Sequence, residues 1–182
     1  MNQDYQDKSP LRSAAFETTE EFLAHAVALE CEVADRYETM AHAMEVHNNT
    51  AVAELFHRLA RASEKHAEEM RKRARGKALP RMAPWEYRWG DSAAPETPAM
   101  RHLHYLMTPY HALELARTAE LKAQGYYAAV ASQSVNPDVR AMAAEFADEE
   151  AEHVDLINAW MSRLPEPEPD WDYDPDPPGM PE

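Results

Sequence analysis

The stretch EFADEEAEHVDLI (145–157) sets Glu150 three residues ahead of His153. On a helix that spacing puts a carboxylate and an imidazole on one face. A second stretch, LARASEKHAEEM (59–70), echoes it around His66 but has Ser63 where the carboxylate would stand. Glu150 and His153 fall in line with Phe146, Ile157 and Trp160, so the polar pair lies on the apolar stripe of a helix. Whether the two stretches are halves of one site depends on how the rest of the chain is arranged.

Four helices are predicted. The first opens at TTEEF, with Thr18 as N-cap and Glu21 completing a capping box, and runs to about His47. The second is capped by Asn49 and runs to about Gly76, after the basic RKRAR. The third opens at MTPY, with Thr108 as cap and Pro109 in the first turn, and ends near Ser134. The fourth opens at VNPDV, capped by Asn136 with Pro137 following, and stops before Pro165. Helices one and two, and three and four, are joined by a few residues, whereas about 77–107 separate the second from the third. Short joints make antiparallel hairpins and a long one a crossover, so the expected fold is an all-α four-helix bundle of two hairpins. Trp85, Tyr87 and Trp89 in the crossover are expected to pack along the bundle surface.

Composition supports helix over strand, with only 4 glycines in 182 residues. The net charge of −15 argues against nucleic acid, which requires clustered Lys and Arg. The single cysteine, Cys31, excludes an intramolecular disulfide or a Cys-ligated cluster on this chain. No apolar run reaches the roughly 18 residues of a membrane span, and the first 17 residues form a polar extension without the core of a signal peptide. A cytoplasmic protein is expected, with 18–164 as the bundle. The tail from 165 to 182, PEPEPDWDYDPDPPGMPE, is expected to be extended or disordered, since its composition cannot bury a core.

The hairpins are internally repeated. TTEEFLAHAVALECEVADRYETMA (18–41) aligns with TPYHALELARTAELKAQGYYAAVA (108–131) at an offset of 90, matching Glu30 with Glu120 and Tyr37 with Tyr127. The second helices align at an offset of 87, matching Asn49 with Asn136 and His66 with His153. Glu30 lies within the stripe of Val27, Val33 and Tyr37, and Glu120 within that of Leu113, Ala116 and Tyr127. A carboxylate on an apolar face has to be paired, protonated or metal-bound. One such glutamate can be a stripe edge, and one such histidine a satisfied core residue. Two symmetry-matched glutamates with two symmetry-matched histidines favour a metal, and that donor set suits iron or manganese.

The motifs ALECEVADRYETMA, AELKAQGYYAAVA and FADEEAEHVDLI, in this order on a duplicated hairpin, resemble the rubrerythrin-like branch of the ferritin-like superfamily over about 20–162. The resemblance implies a ferritin-like bundle holding two irons through Glu30, His66, Glu120, Glu150 and His153. A single ion, or manganese or zinc, are the alternatives. It implies a further carboxylate three residues before His66, where this chain departs from the pattern with Ser63; Glu64, one residue on, is rotated by about 100°. Also implied are reaction with peroxide or dioxygen, or oxidation of ferrous iron, and a homodimer or larger homo-oligomer. With one cysteine the chain would need an external electron donor. Tyr37 and Tyr127 are expected in the core with hydroxyls near the site. The competing reading is a redox-inactive ferritin-like bundle serving as a binding or scaffold protein, motivated by Ser63, the aromatic crossover and the acidic tail; a bare bundle with buried charges serving packing specificity is a third.

Overall fold

The computed structural model describes residues 14–83, 86–89, 97–98 and 100–175, so Trp85 and the extreme termini lie outside the described residues. Helices α1 (Thr19–Val46), α2 (Thr50–Arg73), α3 (Pro109–Gln133) and α4 (Pro137–Met161) form the bundle, with a 3-10 turn at Met100–His102 in the crossover. No strand occurs among the described residues. α1 packs chiefly on α2 and α3 on α4, with lesser contacts between α2 and α3 and between α1 and α4. The fold is therefore an all-α four-helix bundle of two hairpins.

The first joint is tight because Asn48 takes a left-handed conformation, φ 57°, which Asn tolerates better than most residues. Its N–H donates to the Glu45 carbonyl and that of Asn49 to Met44, both at 2.9 Å, so the last carbonyls of α1 are satisfied. Asn49 then caps α2 by accepting from the Val52 N–H at 3.4 Å. At the repeat-equivalent place, Asn136 accepts from the Val139 N–H at 3.4 Å. α2 ends at Arg73, short of the expected Gly76; that glycine instead makes a left-handed turn, φ 79°, that redirects the chain.

The same two caps tie the hairpins together. Asn49 Nδ2 donates to the Met107 carbonyl at 2.7 Å, just before α3. Asn136 Nδ2 donates to the Glu17 carbonyl at 2.8 Å, just before α1. Met107 and Glu17 are related by the offset of 90, so the sequence repeat is a repeat of hydrogen bonds. The cap of each hairpin's second helix fixes where the other hairpin begins.

The capping box at α1 forms in part. Thr18 Oγ1 accepts from the Glu21 N–H at 3.2 Å, but the Glu21 carboxylate pairs with Arg88 of the crossover at 2.7 Å. Arg88 also donates to the Ala15 carbonyl at 2.7 Å and lies over the Phe16 ring. Tyr87 stacks on Trp89 with centroids 4.4 Å apart and meets His25 edge-on. The crossover thus straps the start of α1. At α3, His111 takes the place Glu21 would have: its Nδ1 accepts from the Thr108 N–H at 3.0 Å.

Phe22, Tyr127 and Phe146 meet at 5.4–6.1 Å across three helices and form the aromatic centre of the core. Each fully buried large side chain contributes roughly 2–3 kcal/mol through removal of apolar surface from water. The tail folds back on the bundle end. Trp171 stacks on His111 at 3.7 Å, and the Tyr105 hydroxyl hydrogen-bonds to Asp174. Among the described residues no helix is long and apolar enough to cross a membrane.

Candidate metal centre

Each helix carries one face of the stripe inward, and the stripe positions that are not apolar converge midway along the bundle. Glu30, Glu120 and Glu150 are buried, while His66 and His153 are half-buried. His66 Nδ1 lies 3.6 Å from Glu30 Oε1, and His153 Nδ1 lies 3.4 Å from Glu120 Oε2. These are equivalent pairs of the repeat. The two imidazoles stack face to face, with centroids 4.6 Å apart and planes within 2°. Side chains 87 residues apart in sequence therefore meet at the pseudo-symmetric centre.

The two halves differ where the sequence does. On the α4 side, His153 Nδ1 is also 3.0 Å from Glu150 Oε2, the product of their i, i+3 spacing. Glu120, Glu150 and His153 each present a ligating atom, all within 4.8 Å of one another. On the α2 side, Ser63 occupies the position equivalent to Glu150. It is buried and faces a cavity of about 160 Å³ shared with His66, Glu120 and His153. Glu64 is exposed, so the rotation expected of a neighbouring residue does exclude it.

The electrostatics are those of three carboxylates and two imidazoles crowded into a largely buried space. Burial raises the Glu30 carboxyl, with His66 opposing the shift. Burial, helped by the neighbouring Glu120, pushes Glu150 up to about 9, although His153 pulls it down. Burial would raise Glu120 as well, but His153 and a hydrogen bond with Glu150 outweigh it and hold that carboxyl low. His153 is raised to about 10, by Glu120 first and then Glu150. Glu30 Oε1 and Glu120 Oε2 have an imidazole nitrogen only at 3.6 and 3.4 Å, without a well-formed hydrogen bond, and Glu30 Oε2 has no hydrogen-bond partner. Buried carboxylate oxygens left this way are costly unless a cation satisfies them. Carboxylate oxygens with two imidazole nitrogens fit a first-row divalent metal.

Residues that the motifs did not single out close the other side. Arg73 pairs with Glu145 and Glu149 at 2.9 Å each and lies over the Phe146 ring. It lines, with Glu69 and Glu149, a gap of only about 20 Å³ beside Glu30 and His66. The basic run RKRAR was legible as a helix end, but nothing in it marked Arg73 as the residue reaching α4. Tyr37 is in the core and lines the cavity on the Ser63 side. Tyr127 is in the core too, against Phe22 and Phe146.

No curated protein matches the chain. The crystal structure of an uncharacterised conserved protein from Magnetospirillum magnetotacticum, at 2.00 Å, is similar: 45% identical, covering 83% of this chain and 98% of that one, with a TM-score of 0.62. Residues 21–89 and 111–174 match the rubrerythrin family, a span that takes in both hairpins, part of the crossover and the tail as far as Asp174. With the duplicated hairpins and the inward Glu/His centre on one bundle, the chain belongs to the rubrerythrin family of di-iron carboxylate proteins, and membership implies iron binding.

Proposed function

We propose that Glu30, His66, Glu120, Glu150 and His153 hold non-haem iron, and that the centre reacts with peroxide or dioxygen, or oxidises ferrous iron as a substrate. The observation that carries this is the meeting of Glu120, Glu150 and His153 ligating atoms within 4.8 Å, beside a buried Glu30 whose oxygens make no well-formed hydrogen bond. Iron bound by these residues would supply redox chemistry: one electron from each of two ferrous ions is the pair needed, with two protons, to take peroxide to water. Glu30 and Glu120 enter from α1 and α3, whose stripes fix them, and the stacked imidazoles keep α2 and α4 in register. The cavity beside Ser63 supplies a path for a small oxidant, whereas the Arg73 ion pairs narrow the opposite side. The sole cysteine, Cys31, leaves no Cys-ligated relay on this chain, so re-reduction draws on an external donor.

Ser63 also favours a second reading, in which the bundle has lost redox chemistry and serves as a binding or scaffold protein. Anaerobically iron-loaded protein mixed rapidly with peroxide or dioxygen separates the two. The redox reading expects ferrous-to-ferric conversion much faster than in free ferrous solution, with one peroxide consumed per two irons. Oxidation no faster than free iron assigns the chain to the second reading.

A further inference from the structure

The repeat makes Ser63 the counterpart of Glu150, so the centre has three carboxylates where its own symmetry would give four. Two divalent ions bring four positive charges, and Glu30, Glu120 and Glu150 return three negative ones. A net positive charge left in a buried site is unfavourable and attracts an anion. Among the described residues that line the cavity beside Ser63, the one carboxylate is Glu120, already counted. Glu64 is exposed, and Glu69 and Glu149 line the opposite gap, where Arg73 holds Glu149.

The space left by the serine has a definite character. Its volume of about 160 Å³ is that of roughly five waters, and beyond Ser63 and the metal-facing groups its walls are chiefly apolar, with Leu59, Leu156, Ile157 and Trp160. Past Trp160 it adjoins an open groove of about 400 Å³ bounded by α2, the start of α3 and the end of α4, lined by the apolar Leu55, Leu113 and Leu164 and by the charged Glu54, Arg58 and Arg163. A hydroxide or halide would balance the charge but gain nothing from such walls. A carboxylate bearing an alkyl chain satisfies both.

We propose that a small aliphatic monocarboxylate replaces the missing glutamate, its head beside Ser63, His66 and His153 and its chain along Leu59, Leu156 and Trp160. The inference rests on the metal-centre reading above. It makes the acid a ligand needed for the second metal, and it identifies the groove as the feature that selects the acid by chain length.

Cobalt(II) binding, read by equilibrium dialysis and by the visible spectrum, tests this with acetate, butyrate and hexanoate against carboxylate-free buffer. The second cobalt should bind at least tenfold more tightly with butyrate, and by linkage butyrate should bind more tightly with cobalt present. Acid affinity should rise roughly threefold to fourfold per methylene, and Trp160→Ala should flatten that series. Ser63→Glu should bind two cobalts without acid and respond less than twofold to it. Cobalt binding and spectra indifferent to every acid overturn the inference alone, as does a Ser63→Glu variant as acid-dependent as wild type. No cobalt bound under any condition overturns the metal-centre reading with it.

Discussion

Glu30 is a fully buried carboxyl that makes no close hydrogen bond and has His66 Nδ1 at 3.6 Å, on a helix whose neighbouring inward positions Ala26, Leu29, Val33 and Ala34 are apolar. Glu30→Gln keeps the shape and removes the charge. The metal-free variant should be more stable than metal-free wild type by about 1 kcal/mol, a rise of roughly 2–4 °C in Tm, while iron retention falls. Lower stability of the metal-free variant would show that Glu30 is paired within the protein. His25 is a different buried polar group. Its Nδ1–H donates to the Glu21 carbonyl at 2.8 Å, its Nε2 has no partner, and it packs against Phe16 and Tyr87. Burial, with Arg88 adding to it, lowers its pKa from 6.5 to about 4. The folded state then binds fewer protons than the unfolded one, so the contribution of His25 is complete above pH 6.5 and is lost as pH falls through about 4. The loss amounts to at most about 3 kcal/mol. His25→Phe should be less stable at neutral pH but lose less stability between about pH 6.5 and 4; urea midpoints across that window with equal slopes for both proteins would contradict this.

The element boundaries were legible because caps are local. Thr18, Asn49, Thr108 and Asn136 announce helix starts by residue type alone, and each stands at the N-cap of its helix. The partners of those caps were not legible, since they depend on where the other hairpin lies. Glu21 completes a box in the sequence yet pairs with Arg88, and the amides of Asn49 and Asn136 reach across to Met107 and Glu17. Each of these asparagines therefore does two jobs. Asn49→Ala and Asn136→Ala should each cost about 2 kcal/mol, against about 1 for Thr18→Ala, which loses a cap only. Chemical denaturation checks the ranking, and equal costs for all three would mean that the cross-hairpin bonds add nothing.

At the scale of the molecule, the two hairpins, the crossover and the inward Glu/His positions could be read from periodicity and the internal repeat. The docking of the tail could not, because proline and acid content describes the average segment and not one tryptophan. Trp171 stacks on the ring that caps α3, with Tyr105 and Asp174 bonded alongside. Trp171→Ala should lower stability by roughly 1–2 kcal/mol, seen as a fall of several degrees in Tm; an unchanged Tm would make the stacking incidental. Equally unreadable was the asymmetry of the centre's surroundings, open at Ser63 and closed by Arg73, since it depends on which side chains face each gap. The centre itself is the claim on which the rest depends. Iron retained per chain after anaerobic loading and buffer exchange, measured for wild type and for a Glu150→Ala/His153→Ala variant, tests it most directly. Wild type should retain one to two irons and the variant almost none; no iron on wild type, or equal iron on both, would overturn the metal centre.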